Sequence, residues 1–186
     1  MVKPIIIIGA GGHAKVLADA VIKSGEKLLG FLDDTVTGEV IGGYSVIGIV
    51  ADCERYADQA RFVIGIGNNA VRRCIAEQYA LEWATVIHPS AQIGLCVALA
   101  EGTVVLANAV INSHATVGRH SIINAAALVD HDAVVGDFVH LSSHATLCGA
   151  AKVGENTVIG AGAVVPRLMT VQEGVVIADG SVYMCE

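Results

Sequence analysis

Aromatic residues are scarce in this chain. One Trp, four Tyr and three Phe serve 186 residues, although 54% of the sequence is hydrophobic. The apolar mass is therefore Val, Ile, Leu and Ala, which suits a narrow, repetitively packed interior and not a wide core built around rings. Basic residues are also few: 11 Lys and Arg stand against 18 Asp and Glu, for a net charge of -7. That balance argues against general affinity for nucleic-acid phosphate. No apolar run of about eighteen residues escapes polar punctuation, so no membrane span is expected. The opening "MVKPIIIIGAGGH" has too short an apolar run for a signal peptide and leads into glycines. The cysteines (Cys53, Cys74, Cys96, Cys148 and Cys185) are odd in number, scattered, and contain no C-x-x-C. They read as reduced thiols of a cytoplasmic protein, neither a disulfide frame nor a zinc site.

What the chain does have is a beat of six. From Ile87, every sixth residue through Ile177 is Ile, Leu or Val, and Tyr183 follows in phase. Chance would give such a run less than roughly one time in a thousand. Two positions earlier each hexad tends to carry a small or β-branched residue, such as Ala109, Ala115, Ser121, Ala127 and Ala133, with Met169 the misfit. Residues two apart on a strand share a face. Each hexad is then a short strand plus a corner, and three hexads make a triangular coil of eighteen residues. Successive coils stack at about 4.8 Å. Glycines in "IG" and "VG" pairs are expected to turn the corners. This is the hexapeptide repeat of a parallel β-helix, and it covers residues 83–186.

Before Ile87 the beat is absent. "PIIIIGAGGHAKVLADAVIKSGEKLLGFLDD" reads as strand, turn, helix and strand, with Gly25 as the helix stop. "RFVIGIGNNAVRRCIAEQYA" repeats strand, turn and helix, with Val71, Ile75, Gln78 and Tyr79 on one face. Residues 1–82 are thus a small Rossmann-like α/β domain with a parallel sheet. Its first turn, Gly9 to Ala14, fits G-x-G-x-x-A, and Asp33 and Asp34 lie about twenty residues on. Such glycines let a phosphate approach a helix N-terminus, and a carboxylate can accept from a hydroxyl or a base N–H. A domain this small holds only half of a dinucleotide fold, so a sugar nucleotide fits it better than NAD.

"GAGGHAKV", "FLDD", "IGNN", "IHPSA" and "INAAALVDHDAVVGDFVHLSSHATLCG" together resemble the PglD/NeuD-type sugar O- and N-acetyltransferases, across nearly the whole chain. The resemblance implies a left-handed β-helix, a homotrimer, acetyl-CoA between neighbouring β-helices and a nucleotide-linked amino sugar on the N-terminal domain, with no metal. It implies His131 as catalytic base, with Asp132 raising its basicity, and Asn124 near the acceptor. It implies that His140, and the backbone near Ala161 and Asp179, contact acetyl-CoA. Gly11, Gly12, His13, Asp33, Asp34 and Gly67 would line the nucleotide-sugar site. The family's proline-alanine-lysine tail is missing here, and Asp179 stands where glycine is usual.

The chemistry that follows is acyl transfer: a neutral sugar amine attacks the thioester, His131 takes the shed proton, and a backbone N–H such as that of Gly149 stabilises the oxyanion. On one prism His131 and His140 face away from each other, because nine residues are half a coil. They share a site only across a subunit boundary. His88, His114, His120 and His144 are assigned to the surface or to subunit contacts. Three readings stand beside this one: a sialic acid O-acetyltransferase, a zinc carbonic anhydrase on the same β-helix, and a non-catalytic nucleotide-sugar-binding protein.

Overall fold

The structure, a computed structural model, describes residues 2–184. The N-terminal domain begins with β1 (Ile5–Ile8), α1 (Gly12–Lys23) and β2 (Leu28–Leu32). β3 (Glu39–Ile41) and β4 (Tyr44–Gly48) follow, then the short α2 (Cys53–Tyr56), β5 (Arg61–Ile64) and α3 (Asn69–Gln78). The sheet order is β3-β4-β2-β1-β5. β1 pairs in parallel with both β2 and β5, and only β3 runs antiparallel, against β4. β1 is four isoleucines, all buried, because helices cover both of its faces. From β1 the chain moves to β2 on one side and later returns to β5 on the other. The crevice at the carboxyl ends of β1 and β5 is therefore a topological switch point, where open α/β sheets take ligands.

Beyond α3, β6 (Val86–Ile87) to β21 (Val176–Ile177) are two-residue strands that stack into three parallel sheets of five, five and six strands. Register is constant: Val110 pairs with Leu128, Leu128 with Thr146, Thr146 with Val164, always eighteen residues on. The core is the expected column of Val105, Ile111, Val117, Ile123, Val129, Val135, Leu141, Leu147, Val153, Ile159, Val165, Val171 and Ile177, all buried. Met169 packs against this column at partial exposure. Inward hydroxyls replace some of the alanines without cost in unpaired groups: Ser121 Oγ donates to Gly136 O at 2.8 Å and accepts from Val139 N at 3.0 Å. The fold class expected from the sequence, a small α/β domain followed by a hexapeptide-repeat β-helix, is the fold observed.

The corners correct the expected role of glycine. The left-handed backbone falls at every sixth residue from Cys96 to Gly180, and eleven of those positions, including His114, Asp132 and Asn156, are not glycine. The "IG" and "VG" glycines sit two residues earlier, without positive φ, where the next coil comes close. A Cβ on Gly154 would lie 2.5 Å from Glu173 N, and one on Gly136 would lie 2.9 Å from Glu155 N. Their smallness serves coil-to-coil approach, not the turn.

The two domains share a seam without a free linker. Trp83 bridges to Phe62 of β5, and Val104 and Leu106 on the β-helix are buried in one cluster with Ala14, Leu17 and Val21 of α1. Cys53, Cys74, Cys96 and Cys148 are free thiols; Cys185 lies outside the described residues. No helix among the described residues is long and apolar enough to cross a membrane.

Gly154→Ala should lower stability by about 1–3 kcal/mol through overpacking against the next coil. Gly162→Asn, which puts an αL-tolerant residue at a left-handed corner with open space around it, should stay within about 0.5 kcal/mol. Urea unfolding of both variants checks the order; equal losses would contradict the division of roles between the two glycine sets.

Candidate active site

The corner after Val129 carries Asp130, His131 and Asp132. Val129 and Ala133 are anchored in the core on either side, so the corner holds its shape while its polar side chains stay outside. Asp132 takes the left-handed position, φ 60°. Its Oδ2 sits 2.8 Å from His131 Nδ1. Asp130 Oδ1 accepts from Asn112 Nδ2 and from His131 N, each at 2.8 Å. One aspartate therefore braces the backbone and the other holds the ring. The hydrogen bond from Asp132, with the charge of Asp130 behind it, pushes the His131 imidazole above its ordinary pKa. Asp130 is held below the usual carboxylate range, first by Asn112 and then by the His131 amide.

Residue 149 lies one coil above His131 in the same corner. It is glycine, and a Cβ there would come within 2.6 Å of His131 Nε2. The missing side chain makes room for the ring, whose Nδ1 is held and whose Nε2 has no partner among the described residues. His131 is exposed, so the nitrogen that faces outward is the one free to exchange a proton.

A second group of site residues lies along the seam. His140, outward on β15 (His140–Leu141), places Nδ1 3.3 Å from Gly67 O and Nε2 3.1 Å from Asn124 Nδ2. Asn124 Oδ1 accepts from Ala125 N at 2.8 Å, which fixes the amide orientation. His13, at the start of α1, brings its ring centroid to 6.1 Å from that of His140, and its Nε2 is buried without a partner. Burial, then the neighbouring His140 and Arg72, takes His13 down to about 4. Burial and Arg72 also lower His140, against the Gly67 carbonyl. These imidazoles are neutral where His131 begins to charge.

Asn124 continues into a column. Ala161 lies two coils above Ala125 in the same corner and Asp179 one coil further, so the column rises by about 4.8 Å per coil. Asp179 Oδ1 accepts from Ala161 N at 2.7 Å. The Ala161 amide, which the family resemblance puts against acetyl-CoA, is already engaged by the aspartate.

At the switch point, Gly9, Asp33, Asp34, Thr35, Ile66, Val71, Ile75, Gln78 and Tyr79 surround a crevice of about 470 Å³. Val71, Ile75, Gln78 and Tyr79, expected on one face, all border the crevice, and Val71 is 45% exposed. Asp33 is firmly held: Oδ2 accepts from Ala10 N, and Oδ1 from Thr35 N, the Thr35 hydroxyl and Val36 N. Burial alone would raise its carboxyl, but these donors hold it below the usual range. Asp34 spends Oδ1 on Val50 N and is exposed. Gly11 and Gly12 have open space where a Cβ would be. Packing within the chain does not demand glycine there, whereas Gly9, at φ 101° and against Ile66, is structural.

A family model described as the PglD N-terminal domain matches residues 4–79, and one described as bacterial transferase hexapeptide (six repeats) matches residues 132–167. A UDP-N-acetylbacillosamine N-acetyltransferase from Bacillus subtilis is 36% identical over 112 residues, 56% of this chain and 52% of the relative. That match spans about half the relative's length. The acetyltransferase domain of PglB from Neisseria gonorrhoeae, solved with acetyl coenzyme A, superposes with a TM-score of 0.95 at 34% identity, covering 100% of this chain and 92% of that one. The chain belongs to the PglD-type hexapeptide acetyltransferases. A mutant of perosamine N-acetyltransferase from Caulobacter crescentus, solved with CoA and GDP-perosamine, superposes with a TM-score of 0.94 at 31% identity, covering 100% of this chain and 90% of that one.

Two expectations are corrected in this PglD-type chain. His120 and His88 are not surface residues, at 1% and 8% exposure. His120 stacks on Phe138 at 5.3 Å and meets Trp83 edge-on at 4.8 Å. Burial first, then Arg119 and Arg72, takes it down to about 4, against the pull of Asp137. His114 and His144 are exposed, as expected. Arg72 was not expected at all. In "AVRRCIA" it looks like any solvated helix residue, and no local pattern marks it, because its partners lie far along the chain.

Acid should loosen the seam. His13 and His120 titrate near 4 when folded and near 6.5 when unfolded. The unfolded chain therefore binds protons first as pH falls. The melting temperature should be nearly level above pH 7 and fall between about 6.5 and 4. His120→Phe should flatten part of that fall in a calorimetric pH series; a fall of unchanged steepness would refute the assignment of His120 to it.

Proposed function

We propose that the chain moves the acetyl group of acetyl-CoA to the amine of a nucleotide-linked amino sugar, serving surface-glycan or glycoprotein sugar synthesis in the cytoplasm. The observation that carries this reading is the exposed His131–Asp132 pair over Gly149, in a chain that superposes end to end on an acetyltransferase domain holding acetyl-CoA. The relatives act on bacillosamine and perosamine nucleotides by their names, which supports an amine acceptor over the hydroxyl of sialic acid.

The division of labour follows the seam. Residues 1–82 hold the nucleotide: the base and ribose enter the crevice beside Asp34, and the diphosphate meets the N-terminus of α1 at Gly11 and Gly12. Asp33 shapes that crevice through its four donors, and its Oδ2, which accepts only from Ala10 N, keeps a lone pair for a ligand. The sugar crosses to His13, Gly67 and Asn124. Residues 83–186 hold acetyl-CoA, with the thioester near His140 and Gly149 and the remainder climbing the Asn124 column past Ala161 and Asp179. The amine nitrogen attacks the thioester carbonyl, His131 Nε2 takes the N–H proton, the C–S bond breaks, and the same proton goes to the departing thiolate. Asp132 stabilises the imidazolium in between.

The His131 corner and the Asn124–His140 column occupy different edges of one prism. A complete site therefore joins the His131 edge of one subunit to the Asn124 edge of the next. Three such contacts close a ring, which is the basis for a homotrimer. Light scattering that showed a fully active monomer at micromolar concentration would sink it.

His131→Ala should lower kcat by roughly 10²–10⁴-fold with little change in melting temperature, measured as thiol release from acetyl-CoA over a panel of nucleotide-linked amino sugars. More than about a third of wild-type kcat remaining would remove His131 as base. The raised His131 pKa puts the acid limb of the rate profile above the ordinary imidazole value, since the base must be neutral to accept. Asp132→Asn should move that limb to lower pH and cost less than His131→Ala. Asp34→Ala should raise the KM for the sugar nucleotide and leave that for acetyl-CoA nearly unchanged.

A further inference from the structure

Arg72 is the largest fully buried side chain among the described residues, at 1% exposure, and none of its hydrogen bonds goes to a carboxylate. All its donors are spent on oxygens from both domains. Nε donates to His120 O at 2.7 Å. Nη1 donates to Ile66 O at 3.0 Å and Gly67 O at 3.1 Å. Nη2 donates to Asn69 Oδ1 at 2.8 Å and Phe138 O at 3.0 Å, with Val139 O at 3.4 Å. A buried cation without a counter-charge is costly to keep, and burial takes even this guanidinium down to about 10. Its oxygens have a pattern. His120 and Phe138 are equivalent corners on adjacent coils, Phe138 and Val139 immediately precede His140, and Gly67 O is the carbonyl that His140 Nδ1 meets. The guanidinium thus grips both ends of the contact between His140 and the N-terminal domain.

We propose that Arg72 is a positioning residue of the active site: its planar fork fixes the Gly67 carbonyl and the Phe138–Val139 backbone together, and so locks His140 as the neutral Nδ1–H tautomer with Nε2 presented to Asn124. The chemistry is consistent at each atom. Gly67 O can only accept, so His140 Nδ1 carries the hydrogen. Asn124 Oδ1 is taken by the Ala125 amide, so its Nδ2 donates and His140 Nε2 accepts. The charged or titratable groups facing the ring are Arg72 from α3 and His13 from α1; its neighbour on the next coil is Val158. The Arg72 charge opposes a second cation beside it, so the ring stays an acceptor over the pH range in which His131 works as a base. Lysine cannot replace this function, because one ammonium cannot span three separated sets of carbonyls in a plane.

The proposal rests on His140 and Asn124 being part of the ligand seat, and its test separates the two ideas. Full-length protein labelled with ¹⁵N-histidine reports the tautomer and titration of each imidazole, with His140→Gln assigning the signal. Wild type should show His140 as the Nδ1–H form, titrating below an ordinary imidazole. In Arg72→Met the Nε2–H form should appear and the titration midpoint should rise by about half a unit or more. In Arg72→Lys the charge is kept and the fork is lost, so the tautomer should mix while the midpoint moves less. A folded Arg72→Met with an unchanged tautomer and midpoint would overturn the proposal. If that variant does not fold, Arg72→Lys decides: an unmoved tautomer there overturns it equally. Thiol release by wild type, abolished in His131→Ala, tests the acyl-transfer reading separately, and its failure would leave the imidazole spectra untouched.

Discussion

Everything in the β-helix depends on one constraint: each residue lies over the residue eighteen positions later. The parallel ladders enforce it, and the column from Val105 to Ile177 makes slippage expensive, because a shift by one residue would turn every aliphatic side chain outward. The consequence for chemistry is that side chains at a corner come in vertical stacks with a fixed rise. Leu95, Ser113, His131, Gly149 and Arg167 form one such stack, and the contact between the His131 ring and the bare Gly149 is a direct product of it. Asn112 bracing Asp130 is another, in the neighbouring stack. The proposed base, its carboxylate and its brace are therefore positioned by paired backbone on either side, the condition under which a small constellation keeps its geometry.

The N-terminal domain obeys a different rule, and the seam is where the two must agree. Apolar contact between α1 and Val104 and Leu106 sets the general fit, but apolar surfaces slide. Directional bonds fix the register: Arg72 to His120 and Phe138, and Asn69 Nδ2 to Asn156 O and Thr157 O at 3.0 and 3.1 Å. His120 O, Phe138 O and Asn156 O sit at left-handed corners and take no backbone N–H among the described residues, whereas Thr157 O also accepts from His140 N at 3.0 Å. Periodic corners thus give a docking partner a row of acceptors at known spacing, and α3 meets three coils of that row.

Periodicity explains how much could be seen in the sequence. The hexad phase, the small i-2 residues and the domain change near Ile87 all follow from short-range repetition, so they were legible. His131 with its aspartates was visible as a polar corner between inward Val129 and Ala133, and its expected role came from the family resemblance. The role of the corner glycines was misread, since sequence shows where glycine is, not which of two crowding demands, torsion or approach, put it there. Arg72 and the burial of His120 were invisible for another reason. Arg72 bonds to oxygens 48 to 67 residues on in the other domain, His120 is packed by Trp83 and by Phe138 one coil on, and no local pattern records such contacts. The face of α3 was assigned correctly as a group of residues, but Val71, Gln78 and Tyr79 line a crevice, and the face that docks is the polar one of Asn69 and Arg72.

The histidines finally divide into two electrostatic classes, and the division is itself the argument for their roles. His131 stands in water beside two carboxylates, which favour its cation. His13 and His140 are mostly buried in the seam beside a guanidinium, and burial first and then that charge disfavour theirs. Groups of one type whose environments drive their pKa values apart are suited to different tasks. A proton acceptor must be able to hold the charge it receives, and only the first environment allows that. A hydrogen-bonding wall must keep one lone pair and one N–H in place throughout the reaction, and only the second environment ensures it. Exchanging the two sets would fail at both tasks: His140 would resist the proton, and a charged His131-like ring in the seam would lose its lone pair and repel Arg72. The fold separates them by putting one on a corner that the repeat leaves exposed and the others under the domain that covers the opposite face.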